Sequence, residues 1–139
     1  MLHRLATPED SNTLAELNHQ LILDESHRNA MTVPELAERM RGWLATGYQV
    51  SIFEDDSGIL AYALYRANPD HIYLRQFFVQ RHKRRAGIGL QCMQMLLSAI
   101  WPKDKRIVVE ALCRNPAGIA FWRKVGFTDY SLALEINPS

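Results

Sequence analysis

Apolar residues recur along the chain at two alternating spacings. Leu14, Leu17 and Leu21 repeat at a helical period behind Thr7-Pro8-Glu9-Asp10, where Thr can cap, Pro suits the first turn and acids face the positive helix end. A short strand, Leu2 to Ala6, precedes this helix. A second helix begins at Thr32, whose T-V-P-E has the Thr and Glu of a capping box. Its stripe is Val33, Leu36, Met40, Trp43 and Leu44, and Gly47 stops it. The pattern then becomes strand-like. Tyr48 to Glu54 and Ile59 to Arg66 flank Asp55-Asp56-Ser57-Gly58, the turn chemistry of an antiparallel hairpin. Asn68-Pro69-Asp70 makes another turn, and Ile72 to Val79 a third long strand. Gly87 to Trp101 reads as a helix apolar nearly all round, with Gln91, Gln94 and Ser98 as a narrow polar stripe. Such a helix must pack against a sheet. Arg106 to Leu112 is a further strand. Asn115-Pro116 opens a helix that Gly126 closes, and Phe127 to Ile136 reads as a final strand. The order predicts an α/β or α+β sheet with helices on both faces.

Length adds that 139 residues suit one domain spanning 1–139, and no repeat or low-complexity tract divides them. Charge nearly cancels, with Lys plus Arg at 16 and Asp plus Glu at 15, which argues against a generic polyanion binder. No apolar run of signal-peptide length follows Arg4, and Met95 to Trp101 is far too short to span a bilayer. Cys92 and Cys113 form no C-x-x-C pair, and His3, His19, His27, His71 and His82 lack metal-ligand spacing. These features predict a cytoplasmic protein with free thiols and no metal.

Chemistry concentrates in Val79 to Leu90, V-Q-R-H-K-R-R-A-G-I-G-L, which joins a strand to the apolar helix through two glycines beside a basic cluster. Gly87 and Gly89 leave the backbone open to an anion, the helix start directs amides at it, and Lys83, Arg84 and Arg85 can neutralise phosphates. No G-K-[ST] follows, and Cys92 stands where a dinucleotide fingerprint has its third glycine. Taken alone, the stretch is equally a solvated basic loop. One strand and one helix later comes N-P-A-G-I-A-F-W-R-K-V-G-F, from Asn115 to Phe127.

Together the two segments resemble the GNAT acyltransferase superfamily, whose acetyl-CoA site pairs an [RQ]-x-x-G-x-[GA] loop with a downstream N-x-x-A-x-x-F-Y-x-x-x-G-F. The match runs from about Tyr62 to Phe127. The resemblance implies a GNAT fold: a mixed, mostly antiparallel twisted sheet whose strand Ile72 to Val79 bulges near its end and splays from Arg106 to Leu112. Pantetheine would occupy the gap, with amides of Phe78 or Val79 bonding it. The pyrophosphate would lie on Arg84, Arg85, Ala86, Gly87, Ile88 and Gly89, and Asn115, Phe121 and Lys124 would flank the cofactor's other side. Asn115 also reads as a helix cap.

The family reaction is attack of a primary amine, on a small molecule or peptide, on the acetyl thioester. Glu110 lies where family members that acetylate ribosomal-protein N-termini have a glutamate base. It shares a strand face with Val108 and Leu112, and equally reads as an edge residue paired with Arg106 or Arg114. Trp122 departs from the family's tyrosine, and indole is no practical acid. Tyr73, Tyr65 and Tyr130 are the replacements available. Asp24 and Glu25, in D-E-S-H-R-N between the first two helices, oppose a helix dipole and can hold an ammonium group, whereas His27 and Arg28 suit the helix end. Trp43, Cys92 and the methionines read as packing. The sequence also accommodates a non-catalytic acyl-CoA sensor, favoured by Trp122, or a nucleic-acid binder using Arg81 to Arg85, which the near-zero net charge opposes. The compact tail after Phe127 suggests a homodimer completing the acceptor cleft, and the acyl group is not fixed as acetyl.

Overall fold

The computed structural model describes residues 1–25, 28–84 and 87–139. Strand β1 (Leu2–Leu5) leads through a 3-10 turn, Pro8–Asp10, into α1 (Ser11–Asp24) and α2 (Val33–Ala45). Strands β2 (Tyr48–Asp55), β3 (Gly58–Ala67) and β4 (His71–Val79) follow. Then come α3 (Ile88–Met95), β5 (Arg106–Val109) and α4 (Pro116–Val125). Local chemistry fixes each helix start. The Asp10 carboxylate accepts from the Thr7 amide at 2.8 Å and takes a forked pair from Arg4 at 3.0 and 3.1 Å. At Thr32 the capping box closes, Glu35 accepting from the Thr32 amide at 2.9 Å. Asn115 Oδ1 accepts from the Gly118 amide at 3.1 Å to open α4.

The five strands lie in chain order, β1-β2-β3-β4-β5; the first three pairings are antiparallel and the last parallel. The two hydrophobic faces have separate cores. On one, Ile72, Leu74, Cys92, Met93, Leu96 and Trp101 pack beneath α3, with α4 contributing Phe121, Trp122 and Val125. On the other, Tyr62, Leu64 and Phe78 meet Leu14 and Leu21 of α1 and Met40 of α2. Cys92 is buried in the first of these cores, while Cys113 is exposed. No described helix is long and apolar enough to cross a membrane.

A bulge governs the middle of the sheet. Leu64 pairs with Gln76 but Tyr65 with Leu74, so Arg75 is an extra residue in β4. Before it, Ile72 and Leu74 face the α3 core; after it Phe77 and Val79 do, and Phe78 turns to α1. The bulge thus lies further from the strand's end than the sequence suggested. Beside it, β4 and β5 part company: their last pair is Leu74 with Val109, and β4 continues to Val79 against β3 alone.

Three expectations are corrected. β5 stops at Val109 rather than Leu112, because its partner edge ends there. The helix predicted to Trp101 is α-helical only to Met95 and then widens into a π-turn over Leu96–Ile100, with the Trp101 amide bonding the Leu96 carbonyl at 2.8 Å. This sets the Trp101 ring edge-on to Tyr65 at 5.3 Å. Phe127 to Ile136 forms no strand: it pairs with no other strand, and Tyr130, Leu132, Leu134 and Ile136 are exposed.

A Cβ on Gly118 would fall 2.5 Å from Asn115 Nδ2, displacing the cap. Asn115→Ala is therefore expected to cost about 1 kcal/mol. Gly118→Ala, instead of the gain of roughly 1 kcal/mol usual inside a helix, is expected to cost a similar amount. The double variant should be no less stable than either single one, as urea midpoints will show.

Candidate active site

Where β4 and β5 separate, a cleft of about 380 Å³ opens between α1, α2, the strand ends and α4. A second hollow of about 470 Å³ lies between β1 and Trp101. Of the described residues singled out from the sequence for chemistry only Tyr65 lines it, whereas Glu25, Tyr73, Glu110, Asn115 and Trp122 line the cleft at the split, which is the candidate site. The strand carries its own binding groups. The Gln80 amide bonds the Leu60 carbonyl at 2.8 Å, so the alternation of an antiparallel ladder turns the backbone groups of Val79 and Phe77 to the open side and those of Phe78 to β3. Phe78 is buried, stacked on Tyr62 with ring centroids 5.7 Å apart. Phe77, not singled out from the sequence, thus joins Val79 on the edge.

Glu110 stands just past the end of β5 and lines the cleft. Its Oε1 accepts from the Tyr73 hydroxyl at 2.5 Å, rather than from Arg106, which reaches Asp70 at 3.4 Å. Tyr73 pairs with Val108 across β4 and β5, and its phenol is pushed up to about 12 by burial and then by the Glu110 carboxylate. It is therefore protonated at neutral pH and donates. The other two tyrosines are elsewhere: Tyr65 is buried and bonded to Ser51 at 2.8 Å, and Tyr130 is exposed beneath Arg106. Trp122 packs among Phe77, Phe121 and Phe127, with centroids 5.7, 5.0 and 5.4 Å away.

The basic loop meets α1. Asp24, at the C-terminus of α1, accepts from Arg81 and from Arg84, the latter at 2.6 Å. Burial opposes its charge, but the two guanidinium hydrogen bonds outweigh that and hold the carboxyl below the usual range. Asp24 therefore faces the loop, while its neighbour Glu25 lines the cleft. Burial, and then the Asp24 charge, push the Glu25 carboxyl upward. Arg84 Nε also donates to the Val79 carbonyl at 3.0 Å. Gly87, at φ +77°, caps α3 in the left-handed region, and among the described residues nothing outside its chain neighbours lies within 4 Å of where a Cβ would stand. Ile88 and Gly89 form the first turn, and a Cβ on Gly89 would come within 3.2 Å of the Phe121 ring. Phe121 thus backs the loop and stacks on Phe77 at 5.9 Å, while Lys124 is exposed in the last turn of α4. Arg85, Ala86 and His27 lie outside the described residues. Arg28, predicted to suit the end of α1, instead pairs with Glu135 at 2.9 Å.

An open strand edge, a helix start behind paired arginines and an acid–phenol pair at one split fit an acyl thioester bearing a pyrophosphate. Comparison with known proteins decides the family. The model of the acetyltransferase (GNAT) family matches residues 15–127. The chain belongs to the GNAT acetyltransferase family. A search of curated sequences gave no significant match. Among solved structures, a mutant of the BH1408 protein from Bacillus halodurans is similar at TM-score 0.82 and 20% identity, covering 100% of both chains. A predicted acetyltransferase with acetyl-CoA from Clostridium acetobutylicum gives TM-score 0.76 at 21% identity, over 98% of this chain and 95% of that one. An aminoglycoside acetyltransferase from an uncultured soil metagenomic sample, in complex with sisomicin, gives 0.74 at 14%, over 99% and 95%. At these identities the likeness is one of fold, and the GNAT fold is what they share.

The sequence reading passed over Asn18, Arg39 and Arg75, which line the same cleft, and took Trp43, which also lines it, as packing alone. Arg75 had a signal, as the one Arg, Lys, Asp or Glu in the strand Ile72 to Val79; Arg39 and Asn18 had none, since helical polar positions are commonplace.

The raised Glu25 carboxyl has a stability consequence. With a folded value above the 4.5 of the unfolded chain, the protonated form is favoured by folding. That stabilisation is complete below about pH 4.5 and is lost as pH rises through the folded value. Glu25→Gln should therefore raise the melting temperature at pH 7 by about 2 °C and leave it unchanged at pH 4, a difference scanning calorimetry resolves.

Proposed function

We propose that this GNAT enzyme transfers an acetyl group from acetyl-CoA to a primary amine by direct attack, with Glu110 as base and Tyr73 as proton donor. The observation that carries this reading is the 2.5 Å hydrogen bond from Tyr73 to Glu110 inside the cleft at the strand split. Acetyl-CoA supplies an activated acetyl thioester. Arg84, the first-turn amides of α3 at Gly87, Ile88 and Gly89, and the adjoining Arg85 and Ala86 hold its pyrophosphate. Val79 and Phe77 present backbone groups to the pantetheine arm and the thioester carbonyl. Asn115, Phe121 and Lys124 belong to the opposite wall.

Glu110 takes a proton from the incoming ammonium, directly or through water, leaving a neutral amine to attack. A backbone amide of the β4 edge bonds the oxygen that gains charge. Tyr73 hands its proton to the departing sulfur and takes one back from the nitrogen of the collapsing adduct, while Glu110 releases its proton to solvent. In the resting site the Glu110 anion helps hold the Tyr73 proton on the phenol; once Glu110 is protonated the restraint is gone, so base and acid act in sequence. Glu25, across the cleft, attracts the ammonium. The exposed alternation Tyr130, Leu132, Leu134, Ile136 beside the unpaired edge of β5 fits a homodimer in which the tails pair.

The first test is isothermal titration with acetyl-CoA, CoA and 3′-dephospho-CoA, followed by a labelled-acetyl assay over amines and peptides. One-site binding with transfer is expected. Binding without any transfer would favour an acyl-CoA sensor, and salt-sensitive binding of nucleic acid without CoA would overturn the reading. Glu110→Gln is expected to lower kcat by about 10²-fold and Tyr73→Phe by about tenfold, with acetyl-CoA affinity retained. Asp24→Asn, which removes the carboxylate competing for Arg81 and Arg84, is expected to tighten acetyl-CoA severalfold by titration at low salt.

A further inference from the structure

Arg39 and Arg75, which line the cleft beside Trp43, belong to a cationic array that forms no ion pair with an acid among the described residues. The guanidinium of Arg39 lies 4.5 Å from the Trp43 ring centroid and that of Arg75 lies 4.9 Å from the same ring. Arg75 also reaches Tyr48, at 5.9 Å, and Arg66 approaches Tyr48 at 5.6 Å. Three guanidiniums thus alternate with two aromatic rings, a stacking mode that orients each planar fork; Arg75 spends one edge donor on the Tyr48 hydroxyl at 3.4 Å. Other arginines are matched with carboxylates, as Arg4 is with Asp10 and Glu54 and Arg123 with Asp129. Among the described residues, Arg39, Arg66 and Arg75 have no carboxylate within 4.0 Å.

Burial makes that imbalance matter. Arg39 is half-buried and donates to Asn18 Oδ1 at 3.1 Å, but its Nε is buried with no acceptor, and so is the Nδ2 of Asn18, which is only 1% exposed. Both residues line the cleft, as do Arg75 and Trp43. Buried donors without acceptors are costly, and here two of them adjoin two unneutralised guanidiniums in a cavity that Glu25 and Glu110 also enter. The cavity thus presents both carboxylates and guanidiniums that are not paired with each other.

We propose that the acetyl acceptor is a primary amine that also carries an anionic oxygen group, a carboxylate or phosphate, which Arg39 and Arg75 bind against Trp43 while the amine faces Glu110. The inference rests on the acetyltransferase reading above and adds the substrate class. It also sets this cleft apart from one suited to a polycationic amine, for which two arginines are repulsive. Arg39 and Arg75 are then specificity-determining residues, since like charge excludes as effectively as opposite charge selects.

The experiment measures released CoA thiol at saturating acetyl-CoA with amine pairs that differ only in the anion: leucine against leucinamide, and phosphoethanolamine against ethanolamine. In at least one pair kcat/KM is expected to be about tenfold or more in favour of the anionic member, and which pair responds separates carboxylate from phosphate. In Arg75→Gln and Arg39→Gln that ratio is expected to fall toward one. Arg75 is exposed, so its variant keeps the test independent of folding, which one-site acetyl-CoA titration verifies. A preference for the neutral members in both pairs, or a ratio that persists in both variants, overturns the proposal. If no amine at all is acetylated, the enzyme reading fails separately. The anion site is then read by titrating N-acetyl-leucine against N-acetyl-leucinamide: a carboxylate preference lost in Arg75→Gln upholds the site, and no preference overturns it.

Discussion

Strand β4 gains one residue over its antiparallel neighbour at Arg75, and immediately before that step its pairing with β5 ends. Most of the site depends on this coincidence. A bulge reverses which residues face which side; without it, Phe77 and Val79 would fall toward α1 and α2, and the aromatic support for α4 and for Gly89 would be lost. With it, Tyr73, Arg75 and Gln76 all lie on the α1 and α2 side, where the cleft opens. The end of β5 then leaves the later half of β4 with an unpaired edge. A buried sheet interior seldom tolerates unsatisfied backbone groups, so an edge exposed in the middle of a sheet and lining a cavity implies a ligand that completes it.

The same geometry explains Trp122. The gap between β4 and β5 must be wedged if the sheet is not to close, and Phe77, Phe121, Trp122 and Phe127 form the wedge through offset and edge-on contacts, which add to the area they bury. An indole fills more of that space than a phenol, yet has no usable proton to give. In the reaction proposed above the phenol is instead supplied by Tyr73, from the strand facing Glu110, so that proton donor and base are joined by one hydrogen bond rather than placed on opposite walls.

Elements whose signals are local were legible in the sequence. Thr32 and Glu35 announced α2, Asn115 announced α4, and the Asp55 to Gly58 turn announced its hairpin, because each stabilises its own neighbourhood. The family membership was legible from the two motifs for the same reason. Relations between distant segments were not. Period-two alternation in Tyr130, Leu132, Leu134 and Ile136 describes a surface able to be a strand, but a strand also needs a partner edge, and nothing in the segment reports whether one exists. The extent of β5 is likewise set by β4, the bulge lies earlier than the motif implies, and Asp24 turns to the basic loop 57 and 60 residues away, where the local dipole argument had no means to aim it.

Net charge is the quantity that hid most. Near neutrality argues against a generic polyanion binder, but a sum is blind to how charges are allotted. Asp24 is committed to two arginines of the basic loop, Glu135 to Arg28 and Asp129 to Arg123 at the surface, and Glu110 to a tyrosine. Those allotments leave Glu25 as a half-buried acid in the cleft and Arg39 and Arg75 as its unmatched cations. Opposite charges that line one cavity without forming an ion pair forgo much of their mutual attraction, which in a partly desolvated site exceeds that of an exposed pair. Such an arrangement is sustained by what it recognises: a substrate that is itself a separated pair, an ammonium at one end and an oxyanion at the other, recovers both interactions at once, whereas a singly charged molecule recovers only one and leaves the other group buried and unmet.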